Sequence, residues 1–388
     1  MSKAAGENIG VGMVGHAFMG AVHSQAWRTV HRFFDVPYVP VLAALGGRDE
    51  VRAKAAAVRL GWAAVETDWR DLIAREDVGI VDICTPGDSH AEIAIAALAA
   101  GKHVLCEKPL ANTVAEAEAM AEAARAASER GVRAMVAFNY RRVPALAHAR
   151  RLVADGVLGE IRHVRAAYLQ DWLSDAEAPM TWRLRKEFAG SGALGDLGAH
   201  IVDAAQFVTG EHITGVSALT QTFVRDRPEG EGRGEVTVDD CALFTARLSG
   251  GAVASFEATR YALGRKNAMR LEINGSRGSV AFDFESMNEL SYFDGTDPGT
   301  ESGFRRIVVT EPEHPYLSAW WPPGHGLGYE HTFTHEVADL LRAIGSGADP
   351  APGFDDGLRV QRVLDAVSAS AEDGSRWTPV PDTPVEGR

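Results

Sequence analysis

Through residues 1–140, short apolar runs alternate with alanine-rich amphipathic stretches, and this alternation predicts a parallel α/β sheet. Ile9–Val14, Val39–Leu45, Ala63–Val65, Gly79–Cys84, His103–Cys106 and Ala134–Phe138 read as its strands. Asp49–Leu60, His90–Ala100 and Thr113–Glu129 read as helices, the last with its apolar residues on one stripe. A run such as Ile80-Val81-Asp82-Ile83 suits a strand covered on both faces. After Arg142 the period changes to two. Ile161–Tyr168, Val216–Val224, Cys241–Leu248, Ala252–Thr259, Met269–Asn274 and Ser279–Asp283 read as strands of an antiparallel sheet, joined by turn-rich links such as Leu248-Ser249-Gly250-Gly251. Pro228–Gly234 reads as a mobile surface loop. The change of texture divides the chain into domains 1–140 and 141–388, with no low-complexity linker between them.

Composition narrows the classes of partner. A formal charge of −14 repels nucleic acid and anionic membranes, so neither is an expected partner. No apolar run reaches the ~18 residues that a bilayer-spanning helix needs. Met1–Glu7 is short and polar and leads straight into a glycine motif, which is not the layout of a signal peptide. Cys84, Cys106 and Cys241 are far apart and form no CxxC pair, as suits three structural thiols in a reducing cytoplasm.

The glycine motif is Gly15-His16-Ala17-Phe18-Met19-Gly20, directly after the first strand. Gly15 can make the tight turn. Ala17 is small enough for a pyrophosphate to approach the backbone, and Gly20 lets the following helix pack closely on the strand. The helix N-terminus then offers free N–H groups to the phosphates. Enzymes that prefer NAD usually carry an acid at the end of the second strand, for the ribose 2′-hydroxyl. Here that stretch is Leu45-Gly46-Gly47-Arg48-Asp49. Gly47 stands about where the acid would be, and the Arg48 guanidinium suits a 2′-phosphate. Asp49 either serves the ribose or caps the next helix. NAD and NADP are both open, and Arg48 tilts the reading to NADP.

Two further groups carry chemistry. Glu107-Lys108-Pro109 follows the fifth strand, and ligands bind at the carboxyl ends of such strands. Lys108 is either a donor to a reacting oxygen or a surface lysine beside a glutamate. In Gly190–His200, Asp196 and His200 are four apart and would share one face of a helix. They are either an acid/base pair behind a glycine run or a helix-surface pair.

Taken together, the glycine motif with His23 after it, Thr85-Pro86, Glu107-Lys108-Pro109 and the Asp196…His200 helix resemble the glucose–fructose oxidoreductase/inositol dehydrogenase (Gfo/Idh/MocA) family over nearly the whole chain. The resemblance implies an α/β fold: an N-terminal Rossmann domain, then an α+β domain with a large, mostly antiparallel open sheet. It also implies that Lys108, Asp196 and His200 are catalytic. His200 would take a hydroxyl proton while hydride leaves for NAD or NADP, and Lys108 would stabilise the developing charge on the same oxygen. A cis Lys108–Pro109 bond is implied as well. Phe18-Met19-Gly20 with Ala26-Trp27, Phe138–Arg142, Tyr168–Trp172 and Gly190–Asp196 are similar to one branch, dehydrogenases that oxidise the C3 hydroxyl of a pyranose-type sugar. Members of that branch are NAD-dependent and hold an acid where Gly47 stands, so their cofactor does not carry over.

The expected cofactor contacts are therefore Gly15, Ala17, Phe18, Met19, Gly20, Arg48, Thr85, Pro86, His90, Glu107, Lys108, Trp182 and Arg183. The expected substrate contacts, for a sugar, anhydrosugar or cyclitol, are Lys108, Tyr140, Tyr168, Gln170, Arg183, Asp196 and His200. Trp182-Arg183 is alternatively a stacked surface pair, and either tyrosine a packing residue. The loop Trp320–Tyr329 either roofs a pocket or meets a second subunit. His331 and His335 lack an HExxH pattern or a third ligand, so no metal is expected and both read as helix-surface residues. An open sheet with one apolar face needs a cover, which a homodimer or homotetramer through the C-terminal sheet provides. Two other readings stand beside the dehydrogenase: an NAD-recycling glycosidase on the same fold, and a non-catalytic cofactor-binding regulator.

Overall fold

A computed structural model describes residues 6–381, so Met1–Ala5 of the polar N-terminal segment lie outside the described residues. The chain resolves into two compact units. The first comprises residues 1–142 and 328–358; the second comprises 143–327 and 359–388. The contact pattern thus returns 328–358 to the first unit, a departure from the uninterrupted 141–388 domain. Periodicity marks where elements lie along the chain but not which core they join.

The first unit is built on six parallel strands in the order β3-β2-β1-β4-β5-β6. They are β1 (Glu7–Val14), β2 (Tyr38–Gly46), β3 (Ala64–Glu66), β4 (Ile80–Ile83), β5 (His103–Cys106) and β6 (Ala134–Val136). All four residues of β4 are buried, as its continuous apolar run requires. The helices are α1 (Phe18–Phe33), α2 (Glu50–Leu60), α3 (Trp69–Ala74), α4 (His90–Ala99) and α5 (Val114–Ser128). Their starts follow from capping chemistry: Asp49 caps α2, and Thr113 with Glu116 forms a capping box on α5. The returning segment closes this unit. Its helix Tyr329–Ser346 packs along α1, and the N–H of Val136 donates to the carbonyl of Pro352 at 3.1 Å, which covers the free edge of β6.

The second unit contains a nine-stranded sheet in the order β16-β15-β14-β13-β7-β12-β11-β8-β17. Its strands are β7 (Ile161–Leu169), β8 (Ile213–Gln221), β11 (Cys241–Leu248), β12 (Val253–Thr259), β13 (Ala268–Gly275), β14 (Gly278–Asp283), β15 (Glu289–Asp294), β16 (Arg305–Val308) and β17 (Thr378–Pro379). Only β7 and β12 run parallel; every other neighbouring pair is antiparallel. Helices Pro144–Ala154 and Ala199–Thr209 cover one face. On that face Phe244 and Phe256 stack with ring centroids 4.6 Å apart. The expected loop at Pro228–Gly234 is instead part of a hairpin, β9 (Asp226–Glu229) with β10 (Gly232–Glu235). Its glycines hide strand pairing from a reading of propensity. No helix among the described residues is long and apolar enough to cross a membrane.

Candidate functional site

In the first unit the glycine motif forms the expected strand–turn–helix. Gly15 adopts φ +101°, and a Cβ there would stand 2.6 Å from the carbonyl oxygen of Cys84. A Cβ on Gly20 would stand 2.4 Å from the carbonyl oxygen of Gly15, so α1 can approach β1 only through a glycine. α1 starts at Ala17 without a side-chain cap and has no acid in its first turn. The N–H groups of Phe18, Met19 and Gly20 therefore suit an anionic ligand such as a pyrophosphate. Phe18 is exposed and stacks on Tyr329, with centroids 6.2 Å apart.

The ends of β4 and β5 supply the next layer. Ser89 Oγ donates to Thr85 Oγ1 at 2.8 Å and so shapes the Thr85-Pro86 turn. His90 does not line an open site. It is buried, its Nε2 lies 2.9 Å from the Thr85 carbonyl oxygen, and its Nδ1 lies 3.1 Å from that of Pro109. It ties two loops together. Glu107 is likewise engaged internally: Oε1 lies 3.0 Å from His23 Nε2, and Oε2 accepts the N–H of Lys108 at 3.0 Å. The Lys108–Pro109 peptide is cis. Tyr140 is buried in aromatic packing, edge-on to Tyr329 at 6.4 Å, as befits a packing residue of this unit.

His23, Asp82 and Cys84 gather their donor atoms within 4.8 Å of one another, a grouping that superficially suggests a metal. Its hydrogen bonding argues otherwise. Burial pushes the Cys84 thiol well up, and the thiol donates to Asp82 Oδ1 at 3.5 Å instead of offering a thiolate. Of the two helix histidines, His331 is half-buried and His335 is not on a surface at all. His335 is fully buried, with Nδ1 2.9 Å from the Arg142 carbonyl oxygen, and burial pulls its imidazole down to about 3. The helix carrying both histidines is covered by the sheet unit it joins, which a local reading of its sequence does not reveal.

In the second unit the stretch carrying Asp196 and His200 is not a uniform α-helix. Leu194–Gly198 forms a π-helical turn, and the α-helix proper runs Ala199–Thr209. Such turns favour functional sites because they re-aim side chains. Asp239 holds its start, accepting the N–H groups of Gly192 at 2.7 Å and Leu194 at 2.8 Å. A Cβ on Gly192 would stand 1.7 Å from the Asp239 carbonyl oxygen, so only glycine fits there. Arg260, buried under the Trp172 ring, brings Nη1 within 3.9 Å of Asp196 Oδ2 and donates from Nη2 to the Asp239 carbonyl at 3.0 Å. The His200 ring is edge-on to Tyr168 at 5.8 Å. Tyr168 Oη and Gln170 Nε2 both donate to Asn267 Oδ1 at 2.7 Å. Arg183 lies over the Trp182 ring at 4.5 Å, the stacked arrangement.

The second unit thus assembles Asp196, His200, Tyr168 and Gln170 around partners that sequence reading passed over: Asp239, Arg260 and Asn267. Lys108, Thr85, Pro86 and the glycine motif belong to the first unit, where Asp82 and Glu336 were passed over. Asp82 left a signal, being the one charge in Gly79–Cys84. Glu336 left none, because a glutamate in an amphipathic helix ordinarily faces water.

Residues 9–138 match the model of the oxidoreductase family with an NAD-binding Rossmann fold, and residues 146–281 match that of the GFO/IDH/MocA C-terminal domain. The chain is 41% identical to levoglucosan dehydrogenase of Pseudarthrobacter phenanthrenivorans, over 97% of this chain and 99% of that one. Among solved structures it superposes on an oxidoreductase domain protein from Kribbella flavida with a TM-score of 0.95 at 63% identity, covering 97% of this chain and all (100%) of that one. It superposes on levoglucosan dehydrogenase in complex with NADH and levoglucosan with a TM-score of 0.93 at 41% identity, again covering 97% and 100%.

The buried Glu336 generates a test of stability. Both its carboxylate oxygens are buried without a hydrogen-bond partner among the described residues, and burial pushes it from the usual 4.5 to about 8. The folded protein keeps this proton up to about pH 8, whereas the unfolded chain releases it near 4.5. Folding between those values takes up a proton, so the contribution of this group to stability falls as pH rises through the window. Glu336→Gln should remove that slope: the variant gains on the parent at pH 8, and the gap closes towards pH 4.5. Urea midpoints at both pH values measure it, and identical slopes would contradict it.

Proposed function

The chain belongs to the GFO/IDH/MocA oxidoreductase family, and we propose that it transfers hydride between NAD(P) and a secondary hydroxyl or ketone of a pyranose-type sugar or anhydrosugar. The observation that carries this reading is the second unit's cluster of His200, Asp196, Tyr168 and Gln170, together with the intact dinucleotide motif of the first unit. The nicotinamide supplies the hydride acceptor. His200 is the base that takes the hydroxyl proton, the role for which an imidazole is the natural side chain. Lys108 is assigned to donate a hydrogen bond to the reacting oxygen and to stabilise its developing charge. Asp196, with Arg260 at its side, is assigned to hold a substrate hydroxyl. Asn267 lines up the polar ends of Tyr168 and Gln170 for a hydroxyl-rich ligand. Retention of Lys108, Asp196 and His200 together weighs against a non-catalytic regulator.

For the cofactor, NADP is the preferred form in this reading. Asp49 is engaged as the cap of α2, accepting the Arg52 N–H at 3.0 Å and pairing with its guanidinium at 3.2 Å, so it is not a free ribose acceptor. A Cβ on Gly47 would meet the His16 ring at 2.7 Å, so the place of an acid is filled by an imidazole. Arg48 beside them is exposed and suits a 2′-phosphate. The three free thiols suit a reducing compartment and support the cytoplasm.

The outward face of the second unit's sheet supports a homodimer or homotetramer. Leu219, Leu243 and Val253 stand exposed on it, and the opposite face is the one packed by helices.

Four measurements test these assignments. Absorbance at the nicotinamide band, against a panel of anhydrosugars, aldoses, glycosides and inositols, should show turnover with one sugar class. Lys108→Ala and His200→Ala should each lose at least ~100-fold in kcat while still binding cofactor. No turnover with any sugar, or near-normal rates in either variant, would refute the corresponding role; sugar release without net cofactor reduction would indicate the recycling glycosidase. Arg48→Ala should lower kcat/KM for NADP by at least ~10-fold with little change for NAD, and equal effects would remove the NADP preference. Leu243→Glu should shift the sedimentation-velocity peak to a smaller species; an unchanged peak would place the contact elsewhere.

A further inference from the structure

One buried ring joins three elements of the first unit. α1 supplies His23, β4 supplies Asp82, and Glu107 follows β5. His23 is 1% exposed and Asp82 is fully buried. His23 Nδ1 lies 3.0 Å from both Asp82 oxygens, and Nε2 lies 3.0 Å from Glu107 Oε1. A neutral imidazole carries one N–H and one lone pair, so either tautomer would aim a lone pair at a carboxylate at hydrogen-bond distance. Only the imidazolium donates at both ends. Burial by itself would strip that proton, but the Asp82 carboxylate, with Cys84 beside it, outweighs burial and holds His23 well above its ordinary value. The remaining polar neighbours are consistent with a single positive charge here. Cys84 is a protonated thiol, Glu336 is pushed towards its neutral form, and the Tyr329 hydroxyl is pushed up by burial; Arg142 faces Glu336.

The chain of hydrogen bonds has two ends. At one, Trp27 Nε1 donates to Asp82 Oδ2 at 2.7 Å and fixes that carboxylate. At the other, Glu107 Oε2 accepts the backbone N–H of Lys108 at 3.0 Å. Trp27, Asp82, His23 and Glu107 are all buried, so none of them is open to a substrate, whereas the side chain that follows them in this chain of bonds is Lys108.

We propose that His23 is a positioning residue for hydride transfer: as an imidazolium clamped between Asp82 and Glu107, it holds the Glu107 carboxylate on the Lys108 backbone and so sets the point from which the Lys108 side chain reaches the reacting oxygen. The proposal rests on the assignment of Lys108 to the reaction. Without the cation, Asp82 and Glu107 repel one another, and the carboxylate that receives the Lys108 N–H is free to turn.

A double-mutant cycle separates positioning from bracing. With the best sugar of the panel above and saturating NAD(P), His23→Gln should lower kcat about 10- to 100-fold, while the cofactor Kd from tryptophan quenching changes by no more than about 2-fold. In a Lys108→Ala background, His23→Gln should have no further effect beyond about 2-fold. Multiplicative losses in the double variant would overturn the proposal, since a mere brace weakens the enzyme whether or not Lys108 is present. Should His23→Gln fail to fold, wild-type protein with ring-15N-labelled histidine answers the same question. Both His23 nitrogens should keep imidazolium shifts at about pH 8.5, where an ordinary histidine is neutral. Neutral shifts there would overturn the clamp. If instead Lys108→Ala retains normal activity, the positioning role falls together with the Lys108 assignment, whereas the imidazolium signature persists and tells the two failures apart.

Discussion

A cation buried between two carboxylates is the contact on which the first unit is organised. His23 comes from the helix that follows the glycine turn, Asp82 from the strand ending in Thr85-Pro86, and Glu107 from the segment carrying Lys108. Each of these elements presents one part of the candidate site, and the ring fastens them to one another. Such a group is a poor source of net stability, because desolvation offsets most of the Coulomb attraction. Its effect is specificity of arrangement. Removing any one member strands a buried charge, at a cost of ~3–5 kcal/mol, so the three elements hold one register or lose the whole arrangement.

The second unit solves the corresponding problem with hydrogen bonds to Asp239 and Asn267 and one arginine. Asp239 accepts two N–H groups at the start of the π-helical turn, and Arg260 spans from the Asp239 carbonyl to Asp196. Asn267 does the same for Tyr168 and Gln170. In both units the candidate ligand-facing residues are held by residues buried behind them. Rotamers fixed in this way lose little entropy on binding, which is why preorganised sites discriminate between similar hydroxyls.

Much of the fold was legible. The strands of the first sheet follow continuous apolar runs, and those of the second follow alternation; β5 and β11 match the expected bounds. The weak points were segments whose local pattern carries little signal. The glycines of β9 and β10 masked a hairpin, and β15, β16 and β17 went unread because their alternation is diluted by polar residues. Among the candidate site residues, Gly15, Gly20, Lys108, Asp196 and His200 stood out in the sequence because motif chemistry restricts which residues stand there. His90, Glu107 and His335 turned out to be buried, and for a common reason this was not visible beforehand: a polar residue type says what a side chain can do, not whether it faces solvent or the core.

By itself the sequence determined the order of elements, the glycine turn and the residue types on which the chemistry depends, because turn geometry, apolar periodicity and capping act over a few neighbouring residues. Only the tertiary structure decided which core 328–358 would join, that His23 would lie between Asp82 and Glu107, and that Asp239 and Arg260 would hold the turn bearing Asp196. These are contacts between residues tens to hundreds of positions apart. They form when burial removes water from polar groups and each must find its partner inside the protein, a requirement that no local pattern encodes.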